Sequence, residues 1–311
     1  MNDKLKSRLN FSKVIVKLKS QDHSVLPKFL GSTIRGVFGH SLKQAFCVVS
    51  HKNCNICLLS DSCGYFQIFE SLDETKKEKG YFYKPHPYII SIPKKNEYSN
   101  GDSLEFSITI FGDSIRYLPY LIYSFELMGK KGFGVNRNKF ELYQVSDFYS
   151  NNQVYNNGRL EISNVKKWSL SEFVEEQSSD SLKKEFQLSF ETPARFIENK
   201  KVITQLESKT FLMSMTRRYK ILHEFYGQFE QEDLELGNIQ LLKLKDQHYT
   251  SWKRFSNRQN KSMEQGGILG SYLVSFFDSK MELFLKSMEV LHVGKGTTFG
   301  LGRFKLEKFN N

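Results

Sequence analysis

The chain is short of acid, proline, tryptophan and long apolar runs. Of 311 residues only 6 are Pro and 2 are Trp. No apolar run approaches the ~18 residues that cross a bilayer as a helix. The opening MNDKLKSRLN has no apolar core of the kind a secretory signal needs. A cytoplasmic protein is therefore expected, and in that compartment disulfides are not. Acid is the scarcer charge, with 34 Asp and Glu against 45 Lys and Arg, a net charge of +11 and a pI near 9.3. Such an excess has two readings: a polyanionic partner, or simply a solvated basic surface. Cysteine is scarce too, and all 4 fall in one window.

What is present suits a folded chain of two domains. Apolar residues make up 39% and charged residues 25%, and the length allows two sizeable cores. The segment 151–182 is rich in Asn, Ser and charge and reads as a linker. It separates an N-terminal domain, 1–150, from a C-terminal domain, 183–311.

The two parts echo each other. LEFSITIF (104–111) alternates apolar and polar residues, as a half-buried strand does, with Glu105, Ser107 and Thr109 facing solvent. A helical stripe follows (Ile115, Leu118, Ile122, Phe125, Met128), then GKKGFGVNR, then KFEL. In the second half SYLVSFF (271–277) reads as a strand and Met281, Phe284, Leu285, Met288 and Leu291 as a helical stripe. HVGKGTTFGLGRFKL (292–306) follows. Both loops carry Phe-Gly-(Val or Leu)-x-Arg, at Phe133 to Arg137 and Phe299 to Arg303. Each half also opens on a strand (Val14, Val16, Leu18; Phe186, Leu188, Phe190) followed by a helix, near 28–46 and 204–226. The fold expected is α+β: two tandem ferredoxin-like βαββαβ domains, the second ending in a glycine-rich loop, 294–303.

That loop follows a helix and leads into a strand. Nucleotide-binding glycine loops run the other way, from strand to helix. Two readings remain, a grip on a nucleic-acid backbone and a tight turn. In the first, backbone N–H groups at Gly294, Gly296, Gly300 and Gly302 hold phosphates, with Lys295 and Arg303 adding charge. Bulky residues at Gly300 and Gly302 should then weaken binding more than folding. His292, just before the loop, either orients the bound chain or is a packed histidine. TRRYK (with Arg217 and Arg218) and SWKRFSNRQNK (with Lys253, Arg254 and Arg258) mix cations with aromatics. Such stretches stack bases while tracking a backbone, or are solvated basic faces.

On the first helix, Ser32, Gly36, His40 and Lys43 share one face of a helical wheel. A histidine three residues from a lysine can move a proton while the lysine stabilises charge on a phosphate. The alternative is an ordinary solvated pair. The cysteines Cys47, Cys54, Cys57 and Cys63 are spaced C-x6-C-x2-C-x5-C in an inserted loop, 47–63. They fit a structural zinc, an iron–sulfur cluster, or four reduced thiols packed as small hydrophobes. His51 lies within the same loop.

Taken in order, GSTIRGVFGHSLKQAFC, the cysteine loop ending CGYFQIFE, PHPYII, RFSNRQNKSMEQGGILG and LHVGKGTTFGLGRFKL resemble the CRISPR precursor-RNA-processing endoribonucleases of the RAMP superfamily. The resemblance is to the branch with a cysteine-rich loop after its first helix. It implies metal-independent cutting of CRISPR repeat RNA by attack of a ribose 2′-hydroxyl, leaving a cyclic phosphate and a 5′-hydroxyl. It makes His40 the first choice of catalytic residue, supported by Lys43, with His51 second. It assigns RNA contact to Arg35 and to the glycine loop and basic stretches named above. The implied partners are repeat RNA and mature crRNA, with other interference-complex subunits next and no membrane. No cofactor is implied for cleavage, so zinc would be structural. Non-catalytic scaffold subunits of the same superfamily share the fold, and are the second reading.

Overall fold

The computed structural model describes residues 7–49, 53–70, 84–176, 184–227, 236–237, 239–256, 261–276 and 279–309. The chain divides into two compact units, Asn10–Lys167 and Met1–Leu9 with Trp168–Asn311.

The first unit contains β1 (Asn10–Ser20), β2 (Ser24–Val25), α1 (Gly31–Phe46), β3 (Tyr88–Ser91), β4 (Glu97–Tyr98) and β5 (Ser103–Phe111). It continues with α2 (Leu118–Lys131), β6 (Phe140–Asp147), β7 (Gln153–Asn156) and β8 (Arg159–Leu160). Its sheet runs β3-β5-β1-β6-β7-β8, antiparallel throughout. The helices α1 and α2 pack together. Their apolar stripes, among them Ile34, Phe38, Leu42, Leu121, Ile122 and Phe125, bury against Val14, Val16, Leu18, Ile108 and Ile110 in one core. Pro119 sits in the first turn of α2, where its missing N–H costs nothing.

The second unit contains β9 (Trp168–Ser169), α3 (Leu170–Glu175), β10 (Lys184–Phe190), β11 (Ile197–Glu198), β12 (Lys201–Val202) and α4 (Ser208–Tyr226). It ends with β13 (Gln240–Ser256), β14 (Lys261–Phe276), α5 (Ser279–Leu291) and β15 (Phe304–Lys308). Its main sheet runs β13-β14-β10-β15. Numbered within its own βαββαβ unit, each sheet has the order 2-3-1-4. That shared order makes both units ferredoxin-like, as the echo of the two loops predicted.

Three expectations change. The segment 151–182 is not a bare linker: β7 pairs with β6 and β8 with β7, so residues 151–167 belong to the first unit. Ser107 and Thr109 are buried rather than solvent-facing, because β5 is an inner strand with β3 and β1 on either side. The strand read at 271–277 is the last third of β14, which forms a long hairpin with β13. Phe277 and Asp278 lie outside the described residues. Among those residues no helix is long and apolar enough to cross a membrane.

Candidate functional site

His40 projects from α1 near its middle, exposed, and its ring makes no hydrogen bond among the described residues. Lys43, one turn on, is half-buried, with Nζ 5.7 Å from the centre of the Tyr65 ring. Partial burial lowers the His40 pKa, and the charges of Lys131, Arg137 and Lys43 lower it further. Among the described residues no carboxylate opposes them there. The imidazole is therefore neutral at neutral pH and set among three cations. Lys131 ends α2, and Arg137 lies in the turn that follows. That turn closes tightly: Phe133 and Asn138 bond each other's backbone, and a Cβ on Gly132 would strike the Arg137 carbonyl. Arg137 itself has φ 54°.

Sequence reasoning missed Lys131 and Arg137 as site residues. The signal was available in the repeated loop, where Arg137 stands opposite Arg303. The glycines of α1 separate into two kinds. A Cβ on Gly39 would collide with the Phe69 ring, whereas one on Gly36 would meet nothing within 4 Å. The helix face shared by Gly36 and His40 is thus open at the backbone. Arg35, expected to contact RNA, stacks its guanidinium 4.4 Å from the centre of the Phe69 ring. It also lies beside the buried Tyr88 hydroxyl, whose pKa burial pushes up to about 12 against the Arg35 charge. His51 lies outside the described residues.

All four cysteines line one cavity of about 280 Å³, walled by Phe46, Tyr65, Tyr117 and Tyr120. Each is a half-buried free thiol, and Cys47 donates to the Val49 carbonyl (3.1 Å). Among the described residues no three metal-ligating side chains are gathered at one point. The fold thus brings the thiols to a common cavity without closing them into a coordination shell. The donor set, sulfur alone, is the one structural zinc prefers.

The glycine-rich loop of the second unit spends its glycines on its own folding. Gly294, Gly296, Gly300 and Gly302 all have φ between 72° and 84°, which favours glycine. Backbone N–H groups at 295 and 299–302 donate back to carbonyls of the same unit. The N–H groups of Gly300 and Gly302 are therefore not free to hold phosphates, which corrects the backbone-grip expectation at those two glycines. His292 is 3% exposed, with Nδ1 3.4 Å from the Leu301 carbonyl, so it takes the packed role. Arg303 is ion-paired with Glu191.

Charge remains available from side chains. Lys295 is exposed. Its pKa is lowered by partial burial and by the charges of Arg217 and Arg218. Arg218 donates from Nε to the Leu291 carbonyl (2.6 Å), while its Nη2 is buried without a partner. Three neighbouring cations, one with an unsatisfied donor, are a composition that suits an anion. Lys253 is exposed on β13, some way along the hairpin. The Arg254 side chain and Arg258 lie outside the described residues.

Comparison with known proteins agrees with this duplicated fold. The AF_1859_N family model, an N-terminal domain, matches residues 9–167, and the model for CRISPR-associated endoribonuclease Cas6 matches residues 188–304. An uncharacterized protein of Archaeoglobus fulgidus is 27% identical over 325 residues, covering 96% of this chain and 99% of its own. A partial Cas6-RT-Cas1–Cas2 complex superposes with TM-score 0.57 at 14% identity over 98% of this chain. This chain spans about half of that one, 47% of its length. A Cas6 product complex gives TM-score 0.55 at 12% identity, covering 95% of this chain and 98% of that one. Thermus thermophilus Cas6 gives 0.52 at 12% identity, covering 97% and 100%. At such identity these likenesses concern the fold. With just over half of its length matched by the first family model, the chain belongs to the AF_1859_N family, and most of the rest matches the CRISPR-associated endoribonuclease Cas6 model.

Proposed function

We propose that this protein is an endoribonuclease that cuts CRISPR repeat RNA at His40 without a metal ion. The observation that carries the proposal is a neutral histidine, free of hydrogen bonds among the described residues and set among Lys43, Lys131 and Arg137. Neutral imidazole can accept the proton of a ribose 2′-hydroxyl. The 2′-oxygen then bonds the adjacent phosphorus, the bond from phosphorus to the 5′-oxygen breaks, and that oxygen takes up a proton. The products are a 2′,3′-cyclic phosphate and a 5′-hydroxyl. Developing negative charge on the phosphoryl oxygens is stabilised by the three cations. Lys295, Arg217 and Arg218 on the second unit hold the RNA backbone through side-chain charge. The open backbone at Gly36 leaves room for RNA beside His40.

The test is purified protein with repeat RNA from the same genome in the presence of EDTA. Cleavage with a cyclic-phosphate end, abolished by His40→Ala, is the expected result. Cleavage that survives replacement of His40 sinks the assignment. Tight repeat binding without any product would instead make the protein a scaffold.

The four thiols are proposed to hold one structural zinc, with Cys47, Cys54, Cys57 and Cys63 as ligands. Support comes from their common cavity and their sulfur-only donor set. Bound there, zinc would tie the segment after α1 to the helix that carries His40.

A further inference from the structure

Cutting by a ribose 2′-hydroxyl moves two protons, one on either side of the same phosphorus. The attacking 2′-oxygen and the departing 5′-oxygen stand in line, so one side chain cannot serve both in a single step. His40, on α1, takes the first proton in the reading above. The second proton has to come from another element.

The three cations around His40 differ in what they can give. Lys43 leans over the Tyr65 ring, with Nζ 5.7 Å from its centre. Arg137 is exposed in the turn after α2, and a guanidinium does not give up its proton in proteins. Lys131 acts on His40 most strongly of the three. It is half-buried in the last turn of α2, the helix packed against α1. Lys130 beside it is tied down, ion-paired with Glu126. The Lys131 ammonium has neither a hydrogen bond nor an ion pair among the described residues. An ammonium set among like charges without a carboxylate is electrostatically costly, and a phosphodiester relieves that cost.

The backbone under Lys131 is fixed. Lys139 donates from Nζ to the carbonyls of Lys130 (2.6 Å) and Lys131 (3.4 Å). The Gly132 N–H closes the helix on the Met128 carbonyl (2.9 Å). A Cβ on Gly129 would strike the Phe140 carbonyl, so β6 lies directly against this last turn. A base thus stands on one helix and a positioned, unpaired ammonium on the other, with the open backbone of Gly36 on the His40 face.

We propose that Lys131 is the general acid of the cleavage, giving a proton from Nζ to the departing 5′-oxygen. This rests on the His40 reading above and adds the second proton transfer to it. The 2′-hydroxyl proton passes to His40 and the 2′-oxygen bonds phosphorus. The bond from phosphorus to the 5′-oxygen breaks with its electron pair on oxygen, and Lys131 protonates that oxygen. His40 ends as imidazolium and Lys131 as a neutral amine, and both exchange protons with water before the next turnover. Arg137 stays charged beside the phosphoryl oxygens throughout.

The experiment compares single-turnover cleavage of repeat RNA with that of the same RNA carrying sulfur in place of the scissile 5′-oxygen. A thiolate leaves without needing a proton. Rates are measured on the flat part of the pH profile for the full chain and for Lys131→Ala, Lys131→Arg, Arg137→Ala and His40→Ala. The ratio of the two rates for one protein does not depend on how much of it is folded. Both Lys131 variants should cut the oxygen substrate about a hundredfold or more slowly, and the sulfur substrate close to the wild-type rate. Arg keeps the charge but does not release its proton, so recovery in both variants separates the proton from the charge. Arg137→Ala and His40→Ala should be slowed alike on both substrates. Equal slowing of Lys131→Ala on the two substrates reduces Lys131 to a charge and overturns the proposal. So does a Lys131→Arg or Lys131→Ala protein that cuts ordinary RNA at the wild-type rate. A His40→Ala protein that cuts both substrates at full rate, or a wild type that cuts neither, removes the His40 reading and this proposal with it.

Discussion

The carbonyl oxygen of Val293 fills the space into which a Cβ on Gly302 would project. The Val293 N–H donates in turn to the Gly302 carbonyl at 3.0 Å. The two residues are locked backbone to backbone, with Gly302 at φ 72°. Gly302→Ala should therefore act on folding first. A left-handed φ with a Cβ costs about 1 kcal/mol, and forcing an overpacked contact adds roughly 1–3 kcal/mol. Thermal or urea denaturation should show the loss, and RNA affinity per folded molecule should change little. Gly36→Ala is the converse case. It should stabilise α1 by up to about 1 kcal/mol and yet slow cleavage, if RNA passes close to that backbone. A Gly302→Ala protein with normal stability and lost RNA affinity would return the loop to a direct phosphate grip.

The pH dependence of cleavage follows from the His40 surroundings. Its pKa is lowered from 6.5, first by partial burial and then by Lys131, Arg137 and Lys43. As a general base it works when neutral, so the rate should rise with pH through a value below 6.5 and be flat above it. Replacing Lys131 or Arg137 by Ala removes a cation that disfavours imidazolium. The acidic limb should then move to higher pH, while the plateau rate falls because a phosphate-stabilising charge is gone. Single-turnover rates across the acidic range read both effects. A limb that stays fixed in both variants means these cations do not face His40 during the reaction.

Much of this arrangement was legible in the sequence. The strict spacing of Leu118, Ile122 and Phe125 against Ile108 and Ile110 gave the helix and strand their faces, and the two Phe-Gly-x-x-Arg loops disclosed the duplication. The long β13–β14 hairpin was not legible. Its first strand is crowded with Lys, His and Gln, so the alternation that marks a strand is diluted. Lys131 and Arg137 escaped because nearness to His40 depends on α1 packing on α2, which no local pattern records. The glycines were ambiguous for a physical reason. A φ near 80° and a close approach by a ligand both require glycine, and only the hydrogen-bond partners of the loop amides separate the two.

The cysteine cavity makes a separate prediction. Protein purified without chelator should contain about one zinc per chain, lost in the Cys54→Ser/Cys57→Ser double variant. That variant should melt earlier, and it should cut RNA in proportion to its folded fraction. Cobalt substitution reads the ligands independently, through the sulfur-to-metal charge-transfer band of a tetrathiolate site. Iron with labile sulfide in place of zinc would change the metal but keep the ligands. Metal-free native protein, with all 4 thiols open to a thiol reagent, would leave the cysteines as packing groups.

A buried histidine and a half-buried glutamate in the second unit set opposing pH dependences of stability. His223 is 1% exposed; its Nδ1–H must donate to the Tyr219 carbonyl (2.8 Å), so Nε2 accepts from the Ser7 hydroxyl (2.6 Å). Burial pushes its pKa down to about 4 from 6.5. The unfolded chain thus binds a proton that the folded chain refuses, and stability is lost as pH falls from 6.5 towards 4. Glu289 behaves oppositely. Burial raises its pKa to about 7 from 4.5, against the pull of the Leu306 N–H, Lys286 and Lys305. The folded chain keeps a proton that the unfolded chain releases, and stability is lost as pH rises from 4.5 towards 7. Between 4.5 and 6.5 the two slopes cancel, each being at most about 1.4 kcal/mol per pH unit. His223→Gln can keep both hydrogen bonds without titrating, so it should unmask the Glu289 slope and lose stability as pH rises. Glu289→Gln should unmask the His223 slope and lose stability as pH falls. Urea midpoints at a series of pH values measure both, and a His223→Gln protein with the wild-type pH profile would show that His223 does not titrate within the folded unit.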